Sequence, residues 1–551
     1  MHKPLLNGWS LLVFFIAALV SVPVLVVFGN VFKPAGDVWR HLASTVLADY
    51  IINSFLLMFG VGLGTLVIGV ATAWLCSMCY FPGRRIFEWA LLLPMAIPAY
   101  IIAYTYSGMF EFAGPVQSVL RDFFGWSRND YWFPEIRSLG GAITVMSLVL
   151  YPYVYLITRA AFLEQSVCVL EASRTLGRSS WRSFSDVALP LARPAIIAGV
   201  SLASMEALSD YGTVQYFGVS TFTTGIFRTW FGLGDSSAAA QLAAILMIFV
   251  FVLLIAERWS RGKARFYHTT TRYRELPGYQ LHGWNARLAF VVCFTPILLG
   301  FLLPAIQLLI WTFETAGEMI DARFLTLILN TLSLAAMAAG LAVTLALLMA
   351  YGLRLKATPV MTFSARVASL GYAVPGTVLA IGVLLPFAWF DNIVDAWMRT
   401  TFNISTGLIL SGTLVALLFA YLVRFLAVSL NTIEASMAKV TPGIDDASRT
   451  LGLRPGKALI RVHIPIIRGS LLTAAILVFV DVMKELPATL IMRPFNFNTL
   501  AVRAYELASD ERLADSASAA LAIVIAGIIP VILLSIAITR SRPGNILKDR
   551  K

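Results

Sequence analysis

Four carboxylates lie inside long apolar stretches of the chain, in two pairs with the same spacing. Glu206 and Asp210 are four residues apart, hence on one face of a predicted helix, and Asp481 and Glu485 repeat the pair 275 residues later. An ionised side chain inside a bilayer costs about 2.5–3.5 kcal/mol and usually faces a cavity or a partner. Two such helices beside a central axis would line a negative passage, and their hard oxygen ligands would suit a highly charged cation.

A structural role explains the same acids equally well. Lys484, the fifth charge expected within the apolar stretches, would neutralise Asp481, and the other acids would cap helix ends before Gly212 and Pro487. Both interpretations stay open at the level of sequence. Even a negative passage would not distinguish a ferric ion from an organic cation such as thiamine or a polyamine.

A second motif also occurs twice, at Glu171–Gly177 and Asp446–Gly452, with six identical residues after the acidic one. In each copy a proline follows the glycine at the same distance, Pro190 and Pro465, so the spacing indicates a duplication. Each copy predicts two turns of helix closed by a left-handed glycine. The residues of these two helices and their ends are Glu171, Ala172, Arg174 and Gly177, and Asp446, Ala447, Arg449 and Gly452.

Several kinds of catalytic and cofactor site are missing from the sequence. A phosphate-binding loop needs Gly-Lys followed by Ser or Thr, whereas Gly262-Lys263 and Gly456-Lys457 are each followed by Ala. There is no His-Glu-x-x-His motif and no Gly-x-Ser-x-Gly motif. We therefore expect no intrinsic enzyme activity and no cofactor bound by this chain.

The elements that position these residues are membrane spans. Of the 551 residues 58% are hydrophobic and 13% charged, and the mean hydropathy is +0.79. Runs long enough to cross a bilayer predict twelve spans and an all-α polytopic membrane protein. They lie near residues 9–28, 53–75, 87–110, 140–162, 195–215, 238–256, 286–312, 327–351, 367–390, 407–430, 471–490 and 517–538.

The spans form two parallel halves of six. Pro98 and Pro375, 277 residues apart, should bend spans three and nine, because a proline lacks the amide donor. We expect the offset of 275 to hold without a gap from the repeated motif through Phe222/Phe497, Thr224/Thr499, Arg228/Arg503 and Asp235/Asp510. The predicted organisation is a first transmembrane unit (1–256), a cytosolic linker (257–286) and a second transmembrane unit (287–551).

The net charge of +12 comes from basic residues concentrated in loops on one side of the predicted spans. This bias obeys the positive-inside rule and predicts that both termini lie in the cytosol. The basic linker favours contact with anionic lipid headgroups, and nucleic acid is not an expected partner.

The duplicated motif resembles the signature loop of ABC importer permeases: an acidic residue and two small residues, then a glycine, then a distant proline. Ser173 and Ser448 stand where the family usually has its second alanine. The resemblance implies a protein of the bacterial inner membrane in which each helix docks on an ATP-hydrolysing subunit. The expected partners are two copies of that ATPase, which carry ATP and Mg, and an extracytoplasmic binding protein.

Two permease units in one chain, with the stretches Ser209–Gly218 and Thr223–Trp230, resemble the ferric-iron importer permeases. The resemblance implies a type I importer that receives Fe³⁺ from its binding protein. The residues expected along the passage are Glu206, Asp210, Tyr211, Asp481 and Glu485, with a transient Fe³⁺ at the four acids. Thiamine importers of the same superfamily are also fused, so an organic cation is an alternative.

Twelve spans in two parallel halves also describe a major-facilitator secondary transporter. Those proteins carry a basic signature between spans two and three, where this chain has only the short loop 81–85. A channel or a structural scaffold would not need a duplicated docking helix. Co-purification of an ATPase subunit distinguishes these classes.

Overall fold

The computed structural model describes residues 8–34, 36–164, 180–261 and 279–540, and these residues are almost entirely helical. Within them, eleven helices are long and apolar enough to cross a membrane, and a bent pair, Arg84–Ala96 with Ala99–Phe124, makes twelve if it counts as one span. The predicted all-α polytopic architecture is confirmed.

The first half contains twelve helices in the described residues. They are α1 (Gly8–Gly29), α2 (Asp37–Thr45), α3 (Leu47–Met78), α4 (Arg84–Ala90), α5 (Ala99–Phe110), α6 (Pro115–Phe124), α7 (Leu139–Glu164), α8 (Ser180–Ser183), α9 (Leu189–Ser209), α10 (Gly212–Tyr216), α11 (Phe222–Phe227) and α12 (Ser236–Arg261). Short 3₁₀ turns lie at Asn30–Phe32 and Leu93–Ala96, and π-helical turns at Phe184–Ala188 and Arg228–Gly232.

The second half repeats this programme. Its helices are α13 (Gly283–Ile297), α14 (Leu303–Met319), α15 (Ala322–Leu355), α16 (Pro359–Ala368), α17 (Gly376–Phe402), α18 (Leu414–Met437), α19 (Pro442–Thr450), α20 (Pro455–Ala458), α21 (Ile464–Met483), α22 (Pro487–Met492), α23 (Leu500–Ser509) and α24 (Leu513–Arg540). A 3₁₀ turn lies at Ser369–Ala373, and π-helical turns lie at Leu298–Leu302 and Leu459–His463. Two short strands, β1 (Cys79–Tyr80) and β2 (Tyr279–Gln280), pair in parallel.

The predicted proline breaks are confirmed. Pro98 and Pro375 have extended backbone conformations, and α5 and α17 begin at the residues that follow them. The bend at Pro98 is 88°. A proline is tolerated just before a helix begins, because no intrahelical hydrogen bond needs its missing amide there. Inside a continuous helix the same residue would remove a hydrogen bond.

The backbone repeats with the expected offset through most of each half. Helices α7 and α18, α9 and α21, and α10 and α22 begin 275 residues apart, and so do the π-helical turns Phe184–Ala188 and Leu459–His463. A π-helical turn is uncommon, so its recurrence at the same place supports the duplication.

The expectation of a gapless offset is wrong beyond the short helices α10 and α22. The amide of Phe222 donates to Ser54 Oγ (3.2 Å), and the amide of Leu500 donates to Thr331 Oγ1 (2.9 Å). These equivalent contacts make Leu500 the counterpart of Phe222. The segment from the start of α22 to the start of α23 is therefore three residues longer than its counterpart. The expected pairs Phe222/Phe497, Thr224/Thr499, Arg228/Arg503 and Asp235/Asp510 are out of register.

The chain folds into two compact units whose bounds differ from those of the sequence repeats. The first unit consists of Val46–Thr224, Ile248–Ile320 and Ala504–Lys551, and the second of Met1–Thr45, Gly225–Met247 and Asp321–Arg503. Each unit thus combines the core of one half with the beginning of the other half and with part or all of that half's last helix. The division into 1–256, 257–286 and 287–551 stays a prediction about the repeats.

Small residues allow close helix packing inside each unit. In the first unit, a Cβ at Gly69 of α3 would lie 2.6 Å from Val154 Cβ of α7, so glycine is required for this approach. In the second unit, a Cβ at Gly382 of α17 would lie 2.5 Å from the carbonyl oxygen of Pro23 in α1. Such contacts are typical of membrane helices, where packing rather than solvent exclusion drives association.

Candidate functional site

The second copy of the duplicated motif forms a short helix, α19, as predicted. Pro442 occupies its first position, where the missing amide has no partner to lose, and Asp445 and Arg449 lie in its first and last turns. A negative charge near the start of a helix and a positive charge near its end both complement the helix dipole. Asp446 and Arg449 form an exposed ion pair (3.7 Å) on its outer face, next to the exposed Ala447.

Gly452 ends this helix in the left-handed conformation, with φ of 77°. The amide of Gly452 donates to the carbonyl of Arg449 (2.9 Å), and that of Leu453 donates to the carbonyl of Ser448 (3.0 Å). A Cβ at Gly452 would meet no atom within 4 Å. Glycine is therefore needed for its backbone conformation and not for space, which confirms the predicted left-handed end of the helix for this copy.

A group of charged side chains fixes the inner face of α19. Arg354, at the end of α15, donates from Nε to Asp445 Oδ2 (2.9 Å), and its Nη2 lies 2.7 Å from the same oxygen. The guanidinium also donates to the carbonyls of Met437 (2.6 Å) and Val440 (2.9 Å). One side chain thus joins the end of α15, the end of α18 and the start of α19.

A buried histidine approaches the same carboxylate. His463 is fully buried in the π-helical turn after α20, and its Nε2 lies 2.8 Å from Asp445 Oδ1. Tyr351 packs its ring 5.2 Å from the His463 ring and donates from Oη to the carbonyl of Pro455 (2.8 Å). Helix α15 therefore contacts Asp445 through Arg354, and the π-helical turn after α20 contacts it through His463.

The first copy of the motif, with Glu171, Ala172, Arg174 and Gly177, lies outside the described residues. Nearby in the first unit, Trp74 packs against the rings of Phe162 (5.6 Å), Phe184 (4.7 Å) and Tyr279 (6.2 Å). Trp74 is the counterpart of Tyr351 in the repeat. Trp74 thus packs against aromatic rings here, whereas Tyr351 of the second half packs against His463 and also donates a hydrogen bond.

Asp210 and Glu485 both leave their long helices. Helix α9 ends at Ser209 and α21 at Met483, so the predicted placement of each acid pair on one continuous helix face is wrong. Asp210 accepts hydrogen bonds from the amides of Thr213 (2.9 Å) and Val214 (3.3 Å), at the start of α10. The cause is the break in the helix, since the free amides of the next helix need an acceptor.

Glu485 caps α22 in the same way and has an additional partner. It accepts from the amides of Ala488 (2.9 Å) and Thr489 (3.0 Å), while Arg424 Nη1 of α18 lies 3.4 Å from its Oε1. The side chains of Arg424 and Glu485 are only 10% and 3% exposed. A Cβ at Gly376 would lie 2.7 Å from Glu485 Oε1, so the ion pair depends on that glycine.

The other candidate residues have more varied surroundings. Lys484 Nζ lies 2.8 Å from Asp481 Oδ1, as the structural interpretation expects. Glu206 is half-buried within α9. Tyr211 is buried before α10, and Tyr505 Oη donates to its hydroxyl at 3.4 Å. Across the described residues, no three His, Cys, Asp or Glu side chains come close enough together to hold a metal ion.

Comparison with known proteins identifies the class. Residues 65–263 match the family model described as "Binding-protein-dependent transport system inner membrane component". That segment includes the first copy of the duplicated motif. The Fe(3+)-transport system permease protein FbpB 2 of Haemophilus influenzae is 27% identical over 494 residues, which are 89% of this chain and 90% of the relative. Residues 65–263 therefore belong to the binding-protein-dependent importer permeases, and the chain is similar to such permeases along most of its length.

Two further relatives clarify how the permease is built. The ferric transport system permease protein FbpB of Actinobacillus pleuropneumoniae is 23% identical over 87% of this chain and 70% of its own length. The molybdenum transport system permease protein ModB of Escherichia coli is 27% identical over 220 residues, 39% of this chain but 91% of its own. The permease thus resembles the ferric proteins along most of its length, and the smaller ModB along less than half.

Two buried arginines are not among the five charges predicted inside the spans. Arg424 lies within the span predicted at 407–430, and Arg159 within that at 140–162. Arg159 Nη2 lies 2.8 Å from Glu88 Oε2, which joins α7 to α4. A search for basic residues inside the spans would have found both arginines. The contact of Arg354 with Asp445 had no local signal, because 91 residues separate them.

Proposed function

We propose that this permease imports ferric iron, which an extracytoplasmic binding protein delivers and a separate ATPase drives across the membrane. The observation that carries the proposal is the match to ferric permeases along nearly the whole chain, both halves included. Charge is consistent with it, because acidic residues follow spans five and eleven at equivalent places. An organic cation would also suit such acids, so the substrate needs a direct test.

The exposed face of α19 is the proposed docking surface for one ATPase subunit. It presents Asp446, Ala447 and Arg449, and Leu451 after it is 80% exposed. Exposed charges can fix the register of a partner, and the leucine can enter an apolar pocket on it. We infer that Glu171–Gly177 offers the equivalent surface to a second subunit, so one chain binds two copies. ATP and Mg would be held by those subunits.

The proposed orientation follows from the docking surfaces. Both motif copies must face the cytosol, where ATP is present, and an even number of spans then leaves both termini on that side. The binding protein would dock on the opposite face of the inner membrane. The concentration of basic residues in the cytosolic loops supports this orientation.

We further infer that the acidic side chains attract the substrate only weakly. Glu206, Asp210, Tyr211, Asp481 and Glu485 remain the proposed residues along the path. The carboxylates of Asp210 and Glu485 already accept amide hydrogen bonds, and Asp481 has Lys484 beside it. Carboxylates occupied in this way would attract a partly hydrated cation without holding it, as conduction requires.

Reconstitution with alternative substrates tests the proposal. The permease, its ATPase and the binding protein would be placed in proteoliposomes and supplied separately with ferric iron, thiamine and spermidine. We expect ATP-dependent accumulation of iron alone. Accumulation of thiamine or spermidine without iron would overturn the proposed substrate while leaving the importer class intact.

A further inference from the structure

The geometry around α19 points to a clamp that makes the two ATPase docking sites unequal. We propose that Arg354, Asp445 and His463, together called the clamp, are positioning residues that hold the second docking helix in place. The inference rests on the proposed function, since it concerns how α19 meets an ATPase subunit. None of the three residues belongs to the exposed face proposed to contact that subunit.

Arg354 is the centre of the clamp because it meets three segments at once. Its Nε and Nη2 contact Asp445, while Nη1 and Nη2 donate to the carbonyls of Met437 and Val440. Those carbonyls lie at the end of α18, where helix carbonyls have no intrahelical donor and carry partial negative charge. A guanidinium can satisfy a carboxylate and several carbonyls together, because its five donors spread in a planar fork.

His463 lies close to the same carboxylate on its other side. Its Nε2 is 2.8 Å from Asp445 Oδ1, and its ring packs against Tyr351, which itself donates to the carbonyl of Pro455. Asp445 therefore contacts the helix α15 through Arg354 and the segment after α20 through His463. A helix of nine residues that is anchored on both sides of one carboxylate has little freedom to tilt.

The clamp turns one face of α19 inward and leaves the opposite face outward. Asp445 and Ser448 are turned inward, and Ser448 is buried. Asp446 and Arg449 are exposed, and so is Leu451 beyond the helix. Anchoring the inner face fixes the angle at which the outer face meets a partner, and this pre-organisation lowers the cost of binding.

The first half lacks the charges that build the clamp. At the positions equivalent to Arg354, Asp445 and His463 it has Ser77, Leu170 and Ala188. Ala188 is fully buried, and Trp74 packs against Phe184 of the same π-helical turn. No arrangement of these three residues can reproduce an ion pair. The first half therefore cannot form the same clamp, although the two copies of the motif are nearly identical in sequence.

Asp445→Asn tests the clamp with the full complex. Asparagine keeps the size of the side chain and removes its charge. Asp395→Asn is the matched control, since Asp395 is also paired to an arginine and is 18% exposed against 19% for Asp445, but lies outside the docking region. The measurements are the affinity of each ATPase subunit for the permease, by titration and native mass spectrometry, and the ATP hydrolysed per ion imported.

We expect Asp445→Asn to weaken binding of one of the two ATPase subunits by about threefold to thirtyfold, the range of coupling changes that residues outside the ligand contacts produce. A complex with a single ATPase subunit should accumulate, and more ATP should be hydrolysed per ion. Asp445→Glu, which keeps the charge, should recover part of the loss. Asp395→Asn should leave both measurements unchanged.

Two results would overturn the clamp: affinities for both subunits equal to those of the control, or an equal loss at both sites. If Asp445→Asn lowers the folded yield, His463→Gln replaces it, since it removes only one contact and should cause a smaller loss at the same single site. Subunit binding is measured without substrate. A failure of the clamp therefore differs from a failure of the proposed substrate, which would appear as absent iron uptake with normal subunit binding.

Discussion

The helix breaks after spans five and eleven share a backbone and differ in their charges. In the first half Asp210 caps α10, and the position equivalent to Arg424 is Val149. In the second half Glu485 caps α22 and Arg424 lies beside it. The cap is therefore common to the two copies, whereas the ion pair belongs to one. A fused chain can keep such differences, which a pair of identical subunits cannot.

The two halves also differ in the charged contacts near the ends of their long helices α7 and α15. In the first half, Arg159 and Glu88 join α7 to α4. In the second half, the ion pair of Arg354 and Asp445 joins α15 to α19, the proposed docking helix. Each half thus uses buried charge to fix a different element, and the comparison predicts that equivalent substitutions will have unequal effects.

The largest expected effect is the loss of the buried ion pair. Arg424→Met should lower the free energy of unfolding by about 3–5 kcal/mol, because it leaves a buried carboxylate without its positive neighbour. Adding Glu485→Gln to the same chain should recover part of the loss, since the amide oxygen can still cap α22. Chemical unfolding in detergent measures both. An unchanged stability of the single variant would show that the pair contributes nothing.

A glycine comparison tests the same ion pair without removing it. Gly376→Ala should cost about 1–3 kcal/mol, because the new methyl group would crowd Glu485 and Arg424. The equivalent residue of the first half is already Ala99, and Ala99→Gly is the matched control, with an expected change of at most about 1 kcal/mol. Equal effects of the two changes would contradict the role given to Gly376.

The end of the docking helix depends on a left-handed residue. Gly452→Val should strain the turn by about 1–2 kcal/mol and uncouple transport from ATP hydrolysis, while insertion into the membrane survives. Gly452→Asn should be milder, because asparagine tolerates that conformation. Gly177→Val tests whether the first copy responds alike. Wild-type transport by both valine variants, with the ATPase bound normally, would refute the coupling role.

The smallest expected change in stability is that of Asp210→Asn. Asparagine caps a helix about as well as aspartate, so the free energy of unfolding should change by less than about 0.5 kcal/mol. The passage proposal predicts that iron uptake nevertheless falls severalfold, because the charge is lost. Thermal unfolding and uptake, measured on the same preparation, separate the two roles. Normal uptake would leave Asp210 with a capping role alone.

The sequence predicts what depends on neighbouring residues. The motif Asp446–Gly452 forms its helix and left-handed end because capping is a short-range property. Pro98 and Pro375 break their spans because a proline acts on its own backbone. Within the described residues, the eleven helices long enough to cross a membrane, and the bent pair that would make a twelfth span, follow from the lengths of the apolar runs.

Other features depend on contacts between distant residues, which a single sequence does not reveal. The pairing of Arg354 with Asp445 requires α15 and α19 to meet, and that of Arg424 with Glu485 requires α18 to pack beside α22. The break before α10 has no proline to mark it, so the sequence predicts a continuous helix that includes Asp210. The longer loop after α22 shifted the expected pairs for a similar reason, since loop length leaves no periodic signal.

The central claim is that ATP hydrolysis by ATPase subunits docked on this permease drives transport. The most direct test is uptake of ferric iron by proteoliposomes that contain the permease, its ATPase and the binding protein, compared with proteoliposomes that lack ATP but have an imposed proton gradient. We predict accumulation only with ATP and the binding protein. Accumulation driven by the proton gradient without the ATPase would contradict the account and indicate a secondary transporter.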